Sequence, residues 1–231
     1  MRWVVGYTAA LCVLALILCE SIFIPTFLTR FYHYEFDKRY TPESIQMEKD
    51  ELMHVTGELL DYMRGRRDDL TVQAVIGGET REFFNQREKD HMVDVRMLFD
   101  VGFKIRDTAF WVLLLMVLIL IAMKARIPYV LARCCREVLT AFLILSIALM
   151  VVIALDFNRA FNTFHDLFFS NDLWVLDPAT DLLINIVPLG FFMDITLFIA
   201  VMIVSVSLLI ITCATVYLQR VSKRERCPEL Y

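Results

Sequence analysis

Apolar residues along this chain gather in four long runs, Trp3–Phe23, Thr108–Met123, Val138–Leu155 and Phe191–Leu218, with charge-rich stretches between them. The hydrocarbon core of a bilayer, about 30 Å thick, takes roughly 20 mostly apolar residues in helical form to cross. The second run is shorter, but Val101–Phe110 extends it on the N-terminal side, and the fourth is long enough to tilt. Lipid cannot satisfy open backbone groups, and no strands of alternating polarity suggest a barrel. The pattern therefore predicts an all-α membrane protein with four transmembrane helices. Its divisions are spans 3–23, 108–123, 138–155 and 191–218, a mostly helical outer segment 24–107, a loop 124–137, an interfacial loop 156–190 and a tail 219–231. The first run lacks an A-x-A-like site after it, so it reads as a retained helix, not a cleaved signal.

The polar stretches carry their own patterns. Thr41-Pro42-Glu43 has the order of a cap, a first-turn proline and a first-turn acid. Ile45, Leu52, Leu59 and Met63 then recur on one face, predicting one amphipathic helix over Pro42–Arg64. Gly65–Asp69 reads as a loop and Leu70–Ile76 as a short strand closed by Gly77-Gly78. A helix from about Asn85 leads toward the second span, with Gly102 as its one permissive point for a bend. In the second outer loop Phe157, Phe161, Phe164 and Phe168 follow at steps of four, three and four, predicting a helix lying in the membrane interface, with Trp174 as a further anchor. Asp177-Pro178 reads as a cap and first-turn proline for a helix over Ala179–Val187, ended by Pro188.

Composition agrees with the spans: 58% of the 231 residues are hydrophobic and mean hydropathy is +0.58. One soluble core cannot bury that excess. A net charge of −4 offers no basic platform, so no nucleic-acid partner is expected. Lys/Arg asymmetry sets the orientation. Lys124–Glu137 holds Lys124, Arg126, Arg133 and Arg136, and the tail holds Arg220, Lys223, Arg224 and Arg226; the loop Asp156–Gly190 holds only Arg159 against five aspartates. Both termini and the 124–137 loop are thus expected in the cytoplasm and the two long loops outside. Cys12, Cys19 and Cys213 fall in spans, and Cys134, Cys135 and Cys227 fall on the expected cytoplasmic side, leaving no disulfide framework outside.

Candidate chemistry follows from what the outer loops hold. All four histidines, His33, His54, His91 and His165, lie there. Histidine exchanges protons near neutral pH. His91 precedes Asp94 by three residues, a spacing that lets the carboxylate share its helix face and steady the ring. His165 stands beside Asp166 amid Phe161, Phe164, Phe168 and Phe169, an apolar setting that favours the neutral base. On spacing alone, a hydrogen-bonded structural role is the simpler reading of each histidine. Asp94, Asp172, Asp177 and Asp181 fit caps or solvated groups, while Asp194, four residues into an apolar run, either faces protein or snorkels. Serine nucleophile elbows, zinc-helix motifs, Walker loops and dinucleotide fingerprints are absent, and no histidine pair has i, i+4 metal spacing; no cofactor or metal is expected.

Two segments resemble a known family. Glu88-Lys89-Asp90-His91-Met92-Val93-Asp94-Val95 is similar to the E-x-x-H-M-x-D-V segment of the lipoprotein intramolecular transacylases, four-span bacterial membrane proteins, and Phe164–Pro178 is similar to their second signature, followed by Asp181–Ile184, Pro188 and Phe191-Phe192. One departure is Leu189-Gly190 after Pro188, where many relatives are expected to carry an acid. The resemblance implies an acyltransferase of the cell membrane. It would move the sn-2 acyl chain of a diacylglyceryl-cysteine lipoprotein onto the α-amine of the same cysteine, giving a lyso-form lipoprotein. It also implies that the essential histidines are His91 and His165, with Asp94, Asp166, Trp174 and Asp177 as supporting candidates. The expected partners are the lipidated N-terminus of a lipoprotein and membrane lipid. A non-enzymatic tetraspan adaptor or sensor is the alternative, and a solute transporter fits less well because the spans carry few polar groups.

Overall fold

A computed structural model describes residues 1–226, so Cys227 lies outside the described residues. Eleven elements follow in order among them: α1 (Arg2–Thr26), α2 (Thr29–Arg39), α3 (Thr41–Ser44), α4 (Lys49–Met63), β1 (Gln73–Ile76), β2 (Glu79–Glu82), α5 (Gln86–Ala122), α6 (Ile127–Leu155), α7 (Phe157–Phe168), α8 (Leu182–Ile186) and α9 (Leu189–Arg226). Helices α1, α5, α6 and α9 are long and apolar enough to cross a bilayer. The chain is a multi-pass, all-α membrane protein with one small hairpin. At 37 and 38 residues, α5 and α9 each run about 55 Å, well past the hydrocarbon thickness. The polar beginning of α5 is thus an extension, and only its later part, from about Val101, has the composition of a span.

The chain divides into two compact units. The first comprises residues 1–22, 103–155 and the chain from Phe198 onward. Its tightest packing joins Ala10, Leu120, Val130, Cys134 and Cys135, flanked by Trp3, Val13 and Leu131. Gly6 belongs to this contact: a Cβ there would lie 2.6 Å from Val130 Cγ1 and 2.8 Å from Cys134 Sγ, so α1 and α6 approach as closely as a bare backbone permits. Tyr7 donates to Glu137, which also takes Arg133 Nε at 3.1 Å.

The second unit comprises Phe23–Gly102 and Asp156–Leu197. Its core gathers Tyr32, Phe36, Leu52, Val55, Leu60, Phe83 and Phe84. Three local expectations change here. The helix expected over Pro42–Arg64 is two helices. Tyr40 (φ 52°) closes α2 in the left-handed region and Gln46 (φ 57°) turns the chain again after α3, which lets both Ile45 and Met47 be buried. Thr41 is therefore a buried first residue of α3, with Tyr40 in the cap position. The strand ending at Ile76 has a partner, β2, in register Gln73↔Glu82 to Ile76↔Glu79. Gly77 (φ 61°) and Gly78 (φ 85°) supply the two positive φ angles a two-residue hairpin turn needs. Every residue of β2 is exposed, so no apolar alternation marks it in the sequence. The helix expected over Ala179–Val187 is only α8: Asp177–Asp181 form a turn in which Thr180 and Asp181 N–H donate to the Asp177 carbonyl at 3.0 and 2.8 Å, and Asp181 takes the cap position.

A long ion-pair cluster ties α2 to the start of α9 within this unit. Asp194 accepts from Lys38 Nζ at 2.6 Å and from Arg39, whose Nε reaches the buried Glu35 at 2.9 Å. Asp194 thus faces protein. At Gly190 a Cβ would meet the Arg39 guanidinium, the end of a flexible side chain.

Candidate active site

The N-terminus of α5 is built to hold its first turns rigid. Asn85 Oδ1 accepts from Glu88 N–H at 3.0 Å while Glu88 Oε2 accepts from Asn85 N–H at 2.7 Å, a reciprocal capping box. Glu88 is fully buried, and its other oxygen accepts from Leu183 N–H at 2.5 Å. Burial pushes its pKa up, against the hydrogen bonds from those backbone N–H groups. Asn85 Nδ2 donates to Asp181 Oδ1 at 2.7 Å, so the head of α5 and the turn before α8 are joined twice. His91 projects from the second turn of this anchored helix. α5 continues as one helix through Gly102, where the missing Cβ leaves space for the Phe23 ring, 3.0 Å from where that atom would stand.

His165 comes from α7, which is capped by Asp156, whose carboxylate accepts from Arg159 N–H at 2.9 Å. The helical repeat sets His165 one turn beyond Phe161, and its Nδ1 lies 2.8 Å from the Phe161 carbonyl oxygen. A carbonyl only accepts, so Nδ1 carries the hydrogen, and in the neutral ring Nε2 is left with a free lone pair. Aromatic rings surround this imidazole, with centroids at 4.2 Å (Phe161), 4.7 Å (Trp174), 5.4 Å (Phe164) and 5.6 Å (Phe169).

The two rings, 74 positions apart, meet with centroids 6.2 Å apart and planes tilted by 33°. His91 is 7% exposed and His165 8%. Nδ1 of His91 is buried with no hydrogen-bond partner among the described residues. Burial, and then the facing His165, draw the His91 pKa down to about 4; burial also lowers that of His165, partly offset by the Phe161 carbonyl. Both imidazoles are therefore neutral at pH 7, and neither stands as a resting imidazolium.

The other candidates fall elsewhere. Asp94 does not bond to the His91 ring: it accepts from Asn171 Nδ2 at 2.8 Å, and acts on His91 only through its charge. Asp166 is exposed. Trp174 packs on His165. Asp177 Oδ1 accepts from Ala179 N–H at 2.9 Å and serves its turn. His33 and His54 are exposed and apart from the pair. Residues absent from the sequence-based candidates also take part: Glu88, Arg87, Asn171 and Phe169. The Asn-x-x-Glu spacing of 85–88 is a capping signal in the sequence, whereas contacts between α5 and the 169–174 segment have none. Among the described residues no group of three or more His, Cys, Asp or Glu is placed to hold a metal.

A model of the family described as lipoprotein intramolecular transacylase Lit matches residues 7–192. The fold is similar to that of the membrane-integral lipoprotein intramolecular transacylase Lit from Bacillus cereus, with TM-score 0.79 and 23% identity over 96% of this chain and 98% of that one. Two variants of the same Bacillus protein, with a histidine changed to arginine or to alanine, match with TM-score 0.73 and 22% identity; they cover 97% and 96% of this chain and 95% and 96% of theirs. No curated protein sequence matches significantly.

Proposed function

The chain belongs to the lipoprotein intramolecular transacylase family, and on that premise we propose that it transfers the sn-2 acyl chain of a diacylglyceryl-cysteine to the α-amine of the same cysteine. The observation that carries this reading is the buried contact between His91 and His165, with Nε2 of His165 left as an acceptor. The reaction brings its own nucleophile. The free amine attacks the sn-2 ester carbonyl, an N–C bond forms, and the carbonyl oxygen becomes an oxyanion. Nε2 of His165 takes the proton from the nitrogen. The oxyanion, held by a hydrogen bond from His91, collapses and breaks the bond to the sn-2 oxygen, which receives that same proton. The products are an amide on the cysteine and a free sn-2 hydroxyl.

Each part of this assignment has a physical support. Two neutral rings suit a base that must first be unprotonated and a donor that must not repel the incoming proton. Because amine and ester belong to one molecule, orientation supplies much of the barrier reduction, and no serine or cysteine nucleophile is needed. A donor aimed at the oxyanion in a water-poor site is worth more than the same donor in water. Among the supporting candidates, Trp174 orients the His165 ring, Asp177 shapes the turn before α8, and Asp166 stays solvated.

The substrate's lipid chains require the site to lie at the membrane surface. α7 fits that: Phe164, Leu167 and Phe168 are exposed on the same helix that holds the buried His165. We place α7 in the outer interface, with both termini and the Lys124–Glu137 loop in the cytoplasm, following the excess of Lys and Arg there. The test is mass spectrometry of lipoproteins from a host lacking N-acylation that expresses this chain. N-acylated lyso-lipoprotein is expected with the wild-type chain and absent with His91→Ala or His165→Ala at equal protein levels. Unchanged lipoprotein in all three would leave the adaptor reading instead.

A further inference from the structure

For a substrate ester to touch either imidazole, something that now covers the rings has to move. The cover is the segment from Phe169 to Leu176. Phe169 lies on both histidines, 5.3 Å from His91 and 5.6 Å from His165, and Trp174 lies on His165 at 4.7 Å. No helix or strand runs through this segment. Its fastening to α5 is polar and exposed, and it sits on both sides of His91. Arg87, one turn before, donates to the Asp172 carbonyl and lies 3.7 Å from its carboxylate; Asp94, three residues after, accepts from Asn171. Exposed pairs of this kind hold weakly and exchange readily with water. Beneath the cover, Nδ1 of His91 has no partner, a cost that the closed arrangement bears and an entering polar group would remove.

We propose that Phe169–Leu176 is a clasped cover over the histidine pair, and that release of its Arg87 and Asp94 fastenings from α5 admits the diacylglyceryl ester. This rests on the transacylase reading and adds to it: Asp94 and Asn171 are gate residues, not partners of the reacting atoms. The geometry also accounts for an acid one turn from His91 that leaves the ring unbonded.

The test uses the full chain in detergent or vesicles, with a synthetic diacylglyceryl-cysteine peptide as probe. Neither 23–102 nor 156–197 contains a cysteine, so a pair introduced as Asp94→Cys and Asn171→Cys has no competing thiol in that unit. Oxidised to the crosslink, this chain is expected to lose N-acyl product by about tenfold or more relative to its own reduced form, and to recover on reduction. Equal rates in the two forms would overturn the proposal. A second arm needs no turnover. With Trp3→Phe and Trp111→Phe, Trp174 is the sole indole, and Asn171→Asp places two carboxylates against each other at the clasp. Acrylamide quenching of Trp174 is expected to rise severalfold in that variant; quenching equal to that of the parent with Asn171 intact would reject the cover. If the wild-type chain makes no N-acyl product at all, the functional reading fails by itself and the quenching arm still decides the cover.

Discussion

The two units of this chain solve different problems with the same kinds of residue. In the unit built from residues 1–22, 103–155 and 198 onward, many large apolar side chains are exposed, Ile144, Leu145, Val152 and Leu209 among them. In a protein that crosses a membrane these face lipid. What specifies the packing there is a few small residues, Gly6 and Ala10, which let helices touch. The unit built from 23–102 and 156–197 buries aromatic rings instead, and buries charge with them: Glu35 and Glu88 are fully buried. Its histidines show the same economy on a smaller scale. Two are exposed and two are enclosed together. The lesson is that in the first unit shape carries specificity, whereas in the second most buried polar groups are given partners, and His91 Nδ1 and Glu35 Oε1 are the buried side-chain atoms there left without a hydrogen bond among the described residues.

That contrast can be broken at several points. The largest effect is expected at the enclosed histidines: His91→Ala or His165→Ala should lower acyl transfer by about 10²-fold or more, while His33→Ala and His54→Ala leave it within about twofold, read as N-acylated product by mass spectrometry. Equal losses at all four positions would erase the distinction between enclosed and exposed rings. Next comes stability. Glu88→Ala strands the N–H groups of Asn85 and Leu183 and should cost about 1–3 kcal/mol, and Gly6→Ala should cost a similar amount by forcing Val130 and Cys134 away. The unfolding midpoint in detergent checks both. Only Glu88→Ala should also reduce turnover of the protein that remains folded.

The effect of pH is smaller and has a definite sign. The buried histidines bind protons more weakly than they would in an unfolded chain, so the unfolded state takes up more protons as pH falls from 6.5 toward about 4. Stability should be full above pH 6.5 and decline across that window. The acid limb of kcat/KM should likewise lie below 6.5, the usual histidine value. A limb at or above it would show that the rings are solvated in the working enzyme. A small effect is also expected at Asp166→Asn, which removes an exposed charge beside His165 and should change the rate by less than about threefold.

Much of this was legible in the residues. The four apolar runs, the Phe repeat of α7 and the helix carrying His91 are one-dimensional signals, because a lipid-facing or amphipathic helix writes its period into the sequence. The segment 40–48 was not, since burying Ile45 and Met47 on both sides of a reversal breaks the helical period that Ile45 and Leu52 suggest. Nor was the bond that Asp94 makes. Spacing placed it on the His91 face, but a carboxylate three residues away is also free to reach outward, and Asn171 took it.

The chain's sequence by itself determined how many helices cross the membrane, which loops hold the histidines, and that neither of the two long loops, 24–107 and 156–190, holds a cysteine. Those are matters of local hydropathy and of residue inventory. Tertiary structure alone decided that two of four histidines share one enclosure, and that Asn171 and Arg87 bond across to either side of His91. Contacts between residues some 75 to 85 positions apart depend on where each helix starts and turns, and burial, which sets the proton affinity of an imidazole, exists only once those helices have packed.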